Sequence, residues 1–172
     1  MNSYVKLARS AVEHYVRQHD ILPVPAVLPA ELRQQCACYV YVLENPGRQL
    51  RMMYGEPLPH QVTLAHEIIA NVLQALVSPG ARPVRRAELP SLGYTVAILE
   101  PPQRISEPEH LNPTTFGLYV RSSKGKYALI MPRRAGIETA HDQIATAIRE
   151  ANINPHEEVA TLYRFLVTYY EE

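Results

Sequence analysis

An α+β fold, a largely antiparallel sheet with helices packed on it, follows from three features of the sequence. Strand-like runs outnumber helical ones, and two pairs of them read as hairpins, around Asn45-Pro46-Gly47 and around Ser122-Ser123-Lys124-Gly125. Three segments repeat apolar residues at helical spacing. Proline or glycine marks most junctions, and the fifteen prolines make the connections stiff rather than mobile. Few strands are joined through a helix, which favours α+β over a parallel doubly wound sheet.

The first helix is predicted from Ser3 or Tyr4 to about Gln18. Leu7, Ala8, Ala11, Val12, Tyr15 and Val16 form one face and Lys6, Arg9, Glu13 and Arg17 the other, with Asn2 or Ser3 as the cap. Three prolines between Pro23 and Pro29 exclude a helix there, and Ala30 to Gln35 has room for one turn. Tyr- and Val-rich strands are expected over about 37–43 and 49–54. A second helix is expected from His60 or Gln61 to Val77, with Leu64, Ala65, Ile68, Ile69, Val72, Leu73 and Leu76 in one stripe and Ser78-Pro79-Gly80 as its stop. Gly93 to Leu99 reads as a strand ended by Pro101-Pro102, and residues 103–115, holding Pro108 and Pro113, read as loop. Phe116 to Arg121 and Lys126 to Met131 form the second hairpin. Glu138 to Ala151 is the third helix, with Ile144, Ala147, Ile148 and Ala151 inward, and one last strand is expected from Val159 to Tyr169.

At 172 residues the chain fits one domain, or one with a small appended lobe, and buries a core of its own. Apolar residues at 47% and charged ones at 20% exclude a disordered chain. Zero net charge gives no global pull towards nucleic acid or membrane. Locally, residues 82–134 hold nine Lys/Arg against four Asp/Glu, a basic middle balanced by the rest of the chain. No apolar run approaches the roughly 20 residues that span a bilayer. Two cysteines and the absence of an apolar leader after Met1 lead to the expectation of a cytoplasmic protein.

Several weak motifs occur in a fixed order: Leu7-Ala8-Arg9, Leu50-Arg51-x-x-x-Gly55, Glu88-Leu89-Pro90 before the Gly93–Leu99 strand, Phe116-Gly117-Leu118-x-Val120, Ala151-Asn152-Ile153 and Tyr163-Arg164-Phe165. In that order they resemble the AMMECR family, also called AmmeMemoRadiSam system protein A, over nearly the whole chain. The resemblance implies a compact two-lobed α+β fold with a cleft, in a single domain spanning 1–172. It also implies MEMO-type and radical S-adenosylmethionine proteins as partners. The family signature Leu-Arg-Gly-Cys-Ile-Gly reads here Leu50-Arg51-Met52-Met53-Tyr54-Gly55, so Met53 occupies the thiol position. Arg133 stands where the family usually has Gln, and Glu150 where it has Lys.

A three-residue turn at Asn45-Pro46-Gly47 would pair Glu44 with Arg48, Tyr41 with Arg51 and Tyr39 with Met53. Cys36, Cys38, Val40, Val42, Leu50, Met52 and Tyr54 then share the buried face, and Tyr39, Tyr41, Arg51 and Met53 the open one. An arginine beside a thiol would favour the thiolate. A thioether at position 53 has no proton to lose, and the two cysteines point the other way in this register; a one-residue slip would reverse that. His66-Glu67-Ile68-Ile69-Ala70 lacks the second histidine of a zinc helix. No glycine-rich phosphate loop or serine nucleophile elbow is present, so no cofactor or metal is expected.

The candidate ligand-binding residues are therefore Arg51, Met53, Tyr39 and Tyr41, joined by Arg82 and Arg133, with Arg85, Arg86 and Arg134 nearby in sequence. Arginine forks suit carboxylate or phosphate. The expected function is a non-catalytic domain that binds a small anionic ligand or a protein partner in or near a cleft. The alternatives are an enzyme or enzyme subunit working with the MEMO-type and radical S-adenosylmethionine proteins, and an RNA-binding module using the basic middle and exposed tyrosines. Plain solvation of surface arginines competes with all three.

Overall fold

The computed structural model describes residues 2–172. In chain order the elements are α1 (Ser3–Gln18), α2 (Ala30–Arg33), β1 (Ala37–Glu44), β2 (Gln49–Gly55), α3 (Leu64–Val77), β3 (Leu92–Leu99), β4 (Gln103–Ile105), β5 (Gly117–Ser122), β6 (Tyr127–Ile130), α4 (Ala140–Glu150), β7 (Ala160–Phe165) and β8 (Val167–Glu171). They fall into two compact units, one running to Ile98 and including Thr168–Glu172, the other Leu99–Val167.

The first unit holds a sheet of order β2-β1-β3-β8, with β2 antiparallel to β1. Val5, Ala8 and Val12 of α1 and Leu64, Ile68 and Val72 of α3 are buried in one core with Val40 and Val42 of β1 and Tyr94 and Val96 of β3. The helical spacing read from the sequence is the spacing that buries these side chains. Asn2 caps α1 by accepting the Val5 N–H at 3.0 Å, and His19, in a left-handed conformation, ends it. The α3 helix starts at Leu64, three or four residues later than expected. Thr63 caps it, and the Glu67 carboxylate accepts the N–H groups of His60 and Gln61 at 2.9 and 2.8 Å, so the preceding segment is held as a loop.

In the second unit the order is β4-β7-β5-β6, and each neighbouring pair is antiparallel. One face carries Ile105, Leu118, Val120 and Ile130, which pack with Ala147, Ile144 and Ile148 of α4. Thr139 and Asp142 form a reciprocal cap at the start of α4. Phe165 lies across Gly117 on the neighbouring strand, so close that a Cβ there would fall 2.2 Å from the ring.

Two expectations are corrected. Residues 103–105, placed in a loop, form a strand against β7. The single terminal strand is two strands in two sheets, broken at Leu166, whose carbonyl accepts the Glu100 N–H at 2.9 Å. The alternation of side chains runs unbroken through Leu166, so the break has no local sequence signal. Among the described residues no helix is long and apolar enough to cross a membrane.

Candidate functional site

The β1–β2 hairpin pairs Glu44 with Gln49 and Leu43 with Leu50 across a four-residue turn, one residue longer than expected. A bulge then intervenes, and Val42 pairs with Met52, Tyr41 with Met53 and Tyr39 with Gly55. The two shifts together move the register by two residues, an even number, so the expected division of faces survives for Tyr39, Tyr41 and Met53 against Cys38, Val40, Val42 and Met52. Leu50 does not follow. It lies beyond the bulge, shares the face of Leu43, and is 57% exposed rather than buried.

Arg51 is the bulged residue, and its side chain is only 7% exposed. Its Nε lies 3.0 Å from Glu44 Oε1, and its Nη2 donates to the carbonyls of Arg82 and Pro83 at 2.7 and 3.2 Å. Arg82 meets the same Glu44 oxygen at 2.6 Å and Glu88 at 3.7 Å. The Arg85 N–H donates to Glu88 at 2.7 Å, and that bond is the main reason the Glu88 carboxyl sits below its usual range. Arg51 and Arg82 are thus consumed in tying the 82–88 segment to the hairpin. Tyr39 lies over Gly55, Tyr41 is half-buried, and the two rings are 6.3 Å apart. Burial, then the neighbouring Tyr169, pushes the Tyr41 hydroxyl up. Met53 is 43% exposed. Arg133 belongs to the second unit, where its Nε donates to Thr114 O at 3.2 Å. The structure therefore gathers Tyr39, Tyr41, Arg51, Met53 and Arg82 around one hairpin, with the cations already paired.

Beside that hairpin lies a cavity of about 320 Å³, lined by Tyr54, Glu56, His60, Glu67, Asn71 and Gln74 among others. Tyr54 donates to Glu56 at 2.9 Å, and this bond, ahead of burial, raises the tyrosine's pKa. Asn71 donates to the Cys38 carbonyl at 2.9 Å and contacts its sulfur at 3.4 Å. Burial pushes the Cys38 thiol up more than the Asn71 bond lowers it, so Cys38 is inert at neutral pH. His66 is held by Thr63, with 2.7 Å between Oγ1 and Nδ1. Among the described residues no group of three or more His, Cys, Asp or Glu is placed to hold a metal. The lining set is one that sequence reasoning missed, although a signal existed. Glu67, Asn71 and Gln74 recur at i, i+4 and i+7 within an otherwise apolar helix, which puts three polar groups on one face.

The AMMECR1 family model matches residues 5–170. A Thermotoga maritima protein is 31% identical over 170 residues, covering 98% of this chain and 97% of its own length. A Clostridium acetobutylicum protein is 30% identical over 171 residues, and there the chain spans only 36% of the relative's length. The crystal structure of an uncharacterized protein from Pyrococcus horikoshii superposes with a TM-score of 0.84 over 98% of this chain and 89% of that one, at 24% identity, which shows the shared fold. The family model spans nearly the full length and the Thermotoga relative is matched almost end to end, so the chain belongs to the AMMECR1 family.

Proposed function

We propose that this chain is a binding member of the family without catalysis of its own, and that its ligand is a small polar molecule rich in N–H donors or positive charge, seated in the cavity at Tyr54, Glu56 and Glu67. The observation that carries this reading is the lining itself. Two carboxylates, three side-chain amides, a histidine and a tyrosine line the space, and no Lys or Arg is among the described lining residues. Carboxylates in a partly enclosed, low-dielectric site attract cations and repel anions. The anion expected at the arginine face fits less well, because Glu44 and Glu88 already neutralise Arg51 and Arg82. Absence of catalysis rests on the thioether at Met53 and the buried thiol of Cys38.

The test is a thermal-shift panel of amines, amino sugars and polyamines beside phosphorylated and carboxylated metabolites. The cationic arm is expected to raise Tm, and Glu56→Gln is expected to remove the shift without changing the unliganded Tm by more than about 2 °C, as suits a partly exposed surface change. A rise confined to anions, or none in either arm, would sink the proposal.

A further inference from the structure

The second unit has a sheet face that the function proposed above does not use. Its only long helix, α4, packs on the face of Leu118, Val120 and Ile130. Alternation along each strand puts Arg104, Tyr163, Tyr119 and Leu129 in one row across the other face, and Thr161, Arg121 and Tyr127 in the next. Tyr119 and Tyr163 stack with centroids 5.5 Å apart, and Tyr127 meets Tyr119 edge-on at 6.2 Å. Tyr119 is buried beneath its neighbours, Tyr163 is half-buried and Tyr127 is 48% exposed, so the aromatic surface opens towards β6 and β7.

No acidic residue lies on this face. Arg104 and Arg121 are exposed, and among the described residues neither side chain forms an ion pair or a hydrogen bond. The carboxylates at the start of β7 are spoken for, Glu157 by Lys124 at 3.4 Å and Glu158 by Lys126 at 2.5 Å. At ordinary strand spacing the Cα atoms of the two arginines are roughly 12 Å apart, two strands over and one row along. With both side chains extended along the face, that spacing suits successive phosphates of a strand. Beside Arg104 a groove of about 480 Å³ runs along the strand edge past Ser106, Ala160 and Thr161.

From this juxtaposition we infer that the open face of β4-β7-β5-β6 binds single-stranded nucleic acid, with a base lying against Tyr163 and Tyr127 and flanking phosphates on Arg104 and Arg121. Tyrosines on a sheet surface give sequence-tolerant stacking, and guanidiniums read the phosphodiester charge. Residues 99–167 as a whole carry eight Lys/Arg and eight Asp/Glu, so binding is local and depends on these two arginines rather than on a general positive field.

The test is fluorescence anisotropy of the full chain with a labelled oligouridine of about eight nucleotides, a length suited to one such platform. Binding is expected at about 50 mM salt, weakening with a log–log slope near −1.4, the value for two phosphates on a single strand. Arg104→Glu with Arg121→Glu is expected to weaken it at least tenfold and flatten the slope. Arg85→Glu, a charge reversal at an exposed position of the first unit, is expected to change it less than twofold. Circular dichroism checks that each variant is folded. No binding at low salt, an equal loss in Arg85→Glu, a duplex bound as tightly as the single strand, or uridine monophosphate competing as well as the oligomer would each overturn the inference. None of these readouts depends on the Glu56 cavity.

Discussion

Replacing Gly55 by alanine tests the hairpin geometry at its tightest point. A Cβ at this position would lie 2.4 Å from two carbons of the Tyr39 ring and 2.5 Å from the Cys38 carbonyl oxygen. A side chain swings away from such a clash, but a backbone carbonyl in a paired strand does not without moving the strand. Over-packing of this kind costs about 1–3 kcal/mol, and two contacts at once, one of them to backbone, place Gly55→Ala near about 3 kcal/mol. For a chain of this size that corresponds to a fall in Tm of roughly 6–12 °C. Urea denaturation followed by circular dichroism gives the free energy, and Tyr39→Ala in the same background separates the ring from the carbonyl by a double-mutant cycle. The pair should be less destabilised than the sum of the single changes. A Gly55→Ala protein within about 0.5 kcal/mol of the parent, the range of an ordinary surface change, would refute the packing of Tyr39 over this strand.

Three further outcomes follow from the same geometry. Glu44→Gln removes the charge shared by Arg51 and Arg82; since Glu44 is part-exposed and Arg51 keeps two carbonyl partners, a loss of about 1–2 kcal/mol is expected in urea titration. The Lys126 ammonium, then the Ser122 hydroxyl, hold the Glu158 carboxyl down to about 2. A carboxyl depressed in the folded state stabilises the fold above its unfolded pKa and loses that contribution as pH falls, here between about 4.5 and about 2, so Glu158→Gln should flatten the stability–pH curve in that window alone. Cys38 should resist a thiol-specific reagent in the native protein at pH 8 and react only in denaturant, whereas Cys36, which is half-buried, should react first; peptide mapping by mass spectrometry distinguishes them.

The elements that were legible in the sequence are those whose signal is local. The apolar spacing of α1 and the stripe of α4 sit inside single segments, and both helices fall within two residues of where that spacing puts them. The open face of the hairpin was legible as well, because face membership depends only on parity, and the longer turn plus the bulge preserve it for Tyr39, Tyr41 and Met53. Leu50 was not, since nothing in Gln49-Leu50-Arg51 marks a bulge. The break at Leu166 and the pairing of β4 depend on partners distant in the chain, and a three-residue strand between prolines carries little pattern. The arginines illustrate the same limit. Sequence shows Arg51 and Arg82 as free cations, while the fold brings Glu44 to both. The polar stripe of α3 was readable in principle, but its apolar stripe dominates the segment.

The most direct measurement of how this chain binds is an ¹⁵N NMR titration that follows the side-chain amides of Asn71 and Gln74, which line the acidic cavity. With the amine that gives the largest thermal shift, both amides should move together and saturate, with resonances of the 82–88 segment left in place. Shifts confined to Arg82 and Arg85, appearing with an anion and leaving Asn71 and Gln74 unmoved, would contradict the cavity as the binding site and return the function to the arginine face.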